Sequence, residues 1–131
     1  EIPARRTVEF LRWFLDQVPI EPIWLCPLRL RNTSSPHPWP LYPLRAGETY
    51  VNVGFWSSVA ISPGQAPDAV NRQIEQVVAD LGGHKSLYSD SFYDRATFDR
   101  LYGGAALRDL KDRYDPDRRL LDLHDKAVRR Q

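Results

Sequence analysis

Two stretches of period-two alternation lie between two stretches of helical period, and that order limits the folds open to this chain. From Ala4 to about Gln17 the apolar residues Val8, Leu11, Phe14 and Leu15 recur at helical spacing, joined by Phe10 and Trp13, so the helix has a wide apolar stripe. Pro19 and Pro22 end it, because the residue before a proline is driven out of the helical region. Ile23 to Arg31 then sets Trp24, Cys26, Leu28 and Leu30 against Ile23, Leu25, Pro27 and Arg29, the pattern of a strand. Pro27 removes a ladder donor, which predicts an edge strand or a bulge. Thr49 to Ser58 is the clearest strand: Thr49, Val51, Val53 and Phe55 face one way, and Tyr50, Asn52, Gly54 and Trp56 the other. Pro67 opens a second helix at its first position, with Val70, Ile74, Val77, Val78 and Leu81 on one stripe and Gly82-Gly83 as the stop. His84 to Ser89 reads as a further short strand. The expectation is an α+β fold of the split βαβ, half-ferredoxin-like kind, an antiparallel sheet covered by helices and followed by a helical C-terminal tail.

The tail begins where Asp94 caps a short helix through Leu101. Gly103-Gly104 breaks it, Ala105 to Tyr114 forms another, and Asp115-Pro116 forces a turn before a last helix over Leu120 to Arg130. Helices this short are marginal alone in water, so they need a surface to pack on. Between the two predicted strands, Asn32 to Gly47 carries Pro36, Pro38, Pro40 and Pro43 with Trp39, Leu41, Tyr42 and Leu44 among them, a stiff excursion whose apolar residues lie against its own domain or a second one.

Of the 131 residues about a quarter are Leu, Ile, Val or Phe, enough for a core and above the disordered range. The net charge of +1 leaves no field to gather phosphates, so nucleic acid is not an expected partner. Cys26 is the single cysteine, which excludes an internal disulfide and fits a reducing, cytoplasmic location. There is no apolar run of bilayer length. The chain begins at Glu1 and contains no methionine, which reads as a segment of a longer protein.

Spacing identifies little chemistry. His37, His84 and His124 stand 40 or more residues apart with no partner at ligand spacing, so no metal is expected. Gly82-Gly83 and Gly103-Gly104 are helix stops rather than phosphate loops, and Cys26 reads as a small buried residue rather than a nucleophile. The densest polar and aromatic run is GGHKSLYSDSFY, Gly82 to Tyr93, where His84, Lys85 and Tyr88 are candidate proton carriers. In the strand at Thr49 to Ser58, Tyr50, Asn52 and Trp56 flank the bare Gly54, an arrangement that lets a flat ligand or another backbone come close.

PIWLCPLR at Pro22 to Arg29, YVNVGFW at Tyr50 to Trp56, GGHKSLYSDSFY, Phe98, Leu101-Tyr102, and the run from Arg113 to Lys126 together resemble, in order, the C-terminal part of the 24-dehydrocholesterol reductase (Diminuto) family of FAD-linked oxidoreductases. That family belongs to the vanillyl alcohol oxidase superfamily, and the arginine-rich version here looks actinobacterial. His84-Lys85 departs from the animal pattern and leaves the substrate open. The resemblance implies that residues 1–93 are part of a cap or substrate domain, and that 94–131 is a helical segment returning to an FAD-binding domain of the same protein. It implies FAD as cofactor, NADPH as a candidate electron donor, and a small lipophilic, sterol-like substrate. Tyr88, Lys85 and His84 would be catalytic, Tyr50, Asn52 and Trp56 would face substrate or flavin, and the full-length protein is either cytoplasmic or membrane-associated. From a different class, a non-catalytic module binding a protein through exposed aromatics fits the same residues.

Overall fold

The computed structural model describes residues 1–31 and 41–129. The chain starts with a two-residue strand, β1 (Ile2–Pro3), and a 3-10 turn (Ala4–Arg6) that leads into helix α1 (Thr7–Gln17). β2 (Ile23–Arg29) and β3 (Thr49–Phe55) follow, then α2 (Ala69–Asp80), α3 (Arg95–Leu101), α4 (Gly104–Tyr114) and a π-helical turn at Asp125–Arg129. The sheet order is β1-β3-β2, and both pairs are antiparallel. β1 and β2 are therefore parallel to each other with β3 between them and α1 crossing over, which is the split βαβ unit expected of an α+β chain.

β2 is an edge strand, as Pro27 requires; it pairs with Val51 in register and has no neighbour on its other side among the described residues. Cys26 is half-exposed rather than buried, since β2 has no strand on its outer side among the described residues. The face of β3 carrying Val53 and Phe55 packs under α1 and α2, where Phe10, Phe14, Val18, Ile20, Val78 and Leu81 close around Ile2. Phe14 is fully buried, with its ring centroid 4.5 Å from that of Phe55. A second cluster of Tyr93, Phe98 and Tyr102, with Tyr42 and Leu87 against it, seats α3. Asp94 caps α3 by accepting from the Thr97 amide at 2.8 Å.

Two predicted elements differ. His84 to Ser89 is not a strand. Among the described residues only Glu1 exchanges ladder-type backbone hydrogen bonds with this segment, the Glu1 nitrogen donating to His84 O at 2.8 Å and His84 N to Glu1 O at 3.0 Å. Beyond that pair the segment is pulled off the sheet: the Tyr102 hydroxyl donates to Lys85 O, and the Lys85 ammonium reaches Glu75 on α2. Helix at the C-terminus is confined to its last turn, because Asp122 accepts from the Asp125 amide and starts the turn there, leaving Leu120 and Leu121 exposed before it. His37, Trp39 and the prolines at 36, 38 and 40 lie outside the described residues. Among the described residues no helix is long and apolar enough to cross a membrane.

Candidate functional site

β1 pairs with only Val51 and Tyr50, so β3 from Asn52 to Phe55 has no described strand on that side. This open edge, α2 and the segment after it enclose a cavity of about 510 Å³. One wall is apolar, built from Ile2, Phe10, Val53, Phe55, Ile74 and Val78. Trp24, Trp56 and Tyr88 stand at the rim, with Trp56 72% and Tyr88 88% exposed. Gly54 lies between the indoles, where a Cβ would come 3.0 Å from Trp24 Cε3 and 3.6 Å from Trp56 Cη2. The bare backbone there leaves both rings the space a side chain would take.

The polar end is formed around Glu1. By strand register its carboxylate points to the same face as Asn52, whose Nδ2 donates to Glu1 Oε1 at 3.1 Å. The Tyr42 hydroxyl lies 2.8 Å from both carboxylate oxygens and donates to them, and His84 Nε2 lies 2.5 Å from Oε2. His84 is 2% exposed, with the rings of Tyr42 and Tyr50 edge-on to it at 5.2 and 5.4 Å. Burial pushes the Glu1 carboxyl up, but the hydrogen bonds from His84 and Tyr42 and the nearby positive charge outweigh it and hold it below the usual carboxylate range. Burial, then the hydrogen bond to Glu1, pushes the Tyr42 phenol well up, so it stays a donor.

Lys85 borders the cavity, but its ammonium is engaged. It donates to Glu75 Oε1 at 3.1 Å and to Asp90 O, and stands 5.2 Å from the Phe92 ring centroid. Glu75, 5% exposed, also accepts from the Phe92 amide at 3.0 Å, so one buried carboxylate fixes both ends of the 85–92 loop against α2.

Five of the six residues singled out in the sequence, His84, Lys85, Tyr88, Asn52 and Trp56, border this one cavity. Tyr50 does not; it is buried behind His84 because its side chain fills the space beneath the imidazole. Glu1, Tyr42 and Glu75 were not singled out. Glu75 alone had a signal, a carboxylate next to the apolar stripe of α2. Elsewhere, Asp122, His124 and Asp125 bring ligand-type atoms within 4.8 Å of one another, but Asp122 already serves the Arg95 guanidinium at 2.7 Å and the Asp125 amide.

The curated relatives that the sequence matches are sterol reductases. They include Delta(24)-sterol reductase of Homo sapiens, 24% identical over 129 residues, covering 98% of this chain and 24% of that protein. The Arabidopsis thaliana enzyme of the same name is 25% identical over 126 residues, 86% of this chain and 22% of the relative. A Delta(24)-sterol reductase homolog of Caenorhabditis elegans is 27% identical over 103 residues, 77% of this chain and 18% of the relative. The chain spans about a quarter or less of the length of these relatives. No protein-family model and no solved structure matches it.

Proposed function

We propose that this chain is the C-terminal, substrate-side part of an FAD-dependent oxidoreductase that reduces a carbon–carbon double bond in a sterol-like or other lipophilic substrate. The observation that carries the reading is the cavity at the open edge of β3, apolar along one wall and closed at one end by Glu1, Asn52 and His84. Such a site binds an elongated apolar molecule through its walls and orients it through a few polar groups. Similarity to sterol reductases over nearly the whole chain supports the same reading.

The residues present fit one part of FAD and not another. Trp24, Trp56 and Tyr88 around the bare Gly54 suit a flat ring laid against the rim. The diphosphate does not fit: Glu1 and Glu75 place carboxylates in the wall, and Lys85 is spent on Glu75. An FAD-binding domain of the same protein would hold the phosphates, with the helical segment from residue 94 packing toward it. When bound, the flavin supplies a hydride, drawn from NADPH as candidate donor. This chain's own residues exclude water from the apolar wall, hold the substrate against the ring and provide the proton-bearing groups.

Purified full-length protein should carry flavin absorption bands that bleach on adding NADPH under anaerobic conditions. Protein that neither holds FAD nor takes it up overturns the reading. A non-catalytic module binding a protein partner is favoured by the exposed Leu110, Tyr114, Leu120 and Leu121, but gives no role to the buried polar end of the cavity.

A further inference from the structure

Reducing a double bond needs a proton as well as a hydride, and the cavity offers three residues of suitable chemistry, His84, Lys85 and Tyr88. They are not equivalent in place. The Tyr88 hydroxyl belongs to a side chain almost wholly in solvent at the rim. The Lys85 ammonium is held by Glu75 and Asp90 O. His84 is buried beside the cavity with Nε2 2.5 Å from Glu1 Oε2, and two further donors, Tyr42 and Asn52, fix that carboxylate. At that distance the imidazole and the carboxylate are placed to pass a proton between them.

We propose that the Glu1–His84 pair is the proton donor of the cavity, with His84 the catalytic residue and Glu1, held by Tyr42 and Asn52, the positioning residue. The proposal rests on the reading of the chain as part of a flavin-linked reductase. In the step, one alkene carbon would receive a hydride, both electrons and one hydrogen, which FAD would supply when bound in reduced form. The π pair forms the bond from the other carbon to the proton of the pair. The pair ends one proton short and regains it from solvent through the cavity mouth; a nicotinamide donor would restore the two electrons consumed. The groups that face the pair are Tyr42 from the loop before β3 and Tyr50 from β3, with Lys85 and Glu75 engaged with each other on the α2 side.

The test uses full-length protein with a Delta(24)-sterol as probe, measuring reduction of the flavin by NADPH and its reoxidation by the sterol separately. His84→Gln should leave flavin content and the reductive half unchanged and slow reoxidation about a hundredfold or more. Glu1→Gln should move the pH profile of reoxidation, and Glu1→Asp should return part of it. Tyr42→Phe, a milder change, should shift the same profile by removing one donor to the carboxylate. A readout independent of turnover is the ring-nitrogen chemical shift of ¹⁵N-labelled His84 against pH, which should titrate differently in Glu1→Gln and Tyr42→Phe. Reoxidation at the wild-type rate in His84→Gln overturns the proposal. A slower Glu1→Gln with an unmoved pH profile and no recovery in Glu1→Asp reduces Glu1 to a structural role and overturns its part. Wild-type protein without flavin overturns the parent reading instead. The His84 titration still decides the pair in that case, and an imidazole indifferent to Glu1 and Tyr42 sinks it.

Discussion

Glu75 shows how a single buried carboxylate organises the loop beside the cavity. It accepts from the Lys85 ammonium and the Phe92 amide, both of which lose a partner in Glu75→Ala. The part-buried Phe92 amide is left unpaired while the Lys85 ammonium keeps Asp90 O, so the loss should be about 2 kcal/mol, read from the denaturation midpoint. Acid should act through depressed carboxyls. Glu1 is held down by His84 and Tyr42 against its burial, Asp115 by the Lys111 ammonium and Asp94 by the Thr97 amide. The unfolded chain binds protons first, so their stabilisation is complete above the unfolded carboxylate range of about 4 and is lost as the pH falls through the lower folded values. Denaturation midpoints followed downward from neutral pH should fall in that window, and less steeply in Glu1→Gln. Alkali acts with the opposite sign. Burial and then the charge of Glu75 push the Tyr93 phenol from 10 up to about 12. Between those values the unfolded chain gives up a proton that the folded chain keeps, so stability should decline as the pH rises from about 10. None of these roles showed in the sequence except that of Asp94, whose cap is local and therefore visible in its own few residues. Glu1 meets Tyr42, Asn52 and His84 across 41, 51 and 83 residues, and no local pattern reports such a meeting.

Among the elements, the periodic ones were legible. α1, β2, β3, α2 and α3 form near where apolar spacing and the Asp94 cap place them, because each buries a stripe or face of its own, but α2 starts at Ala69 after an Asp68 N-cap rather than at Pro67, and β2 and β3 end at Arg29 and Phe55 rather than Arg31 and Ser58. The central packing of α1 on β3 makes Phe14→Ala a cavity mutation in a fully buried site, with an expected loss of about 4 kcal/mol in chemical denaturation. β1 was not legible, since two residues are too short to show a period, and the strand expected at His84 to Ser89 shrinks to its pair with Glu1. Side chains decide that outcome: Tyr102 takes the Lys85 carbonyl that a ladder would use, and Lys85 itself turns to α2. Gly83 marks the junction, for a Cβ there would collide with the Glu1 carbonyl oxygen and come 3.1 Å from Val78 Cγ1. Gly83→Ala should therefore cost about 2 kcal/mol and loosen the Glu1–His84 pairing, seen as faster exchange of the His84 amide.

For the molecule as a whole, the sheet bears on the proposed function through the cavity that β3 borders. Among the described residues β1 covers only Val51 and Tyr50, and Asn52 to Phe55 of β3 border a cavity whose rim is aromatic and whose end is polar. The sequence showed the rim and half of the polar end; the enclosing role of α2 and the Glu1 carboxylate required the three-dimensional arrangement. The proposed reductase needs this cavity to hold the substrate, and Asn71, exposed on α2 at its edge, offers a way to fill it without touching the polar end. The decisive measurement is the anaerobic reoxidation of NADPH-reduced full-length protein by a Delta(24)-sterol, in the wild type and in Asn71→Trp. The cavity reading predicts unchanged flavin content and reduction in the variant, with reoxidation slowed about tenfold or more. Equal reoxidation rates in the two proteins would contradict it.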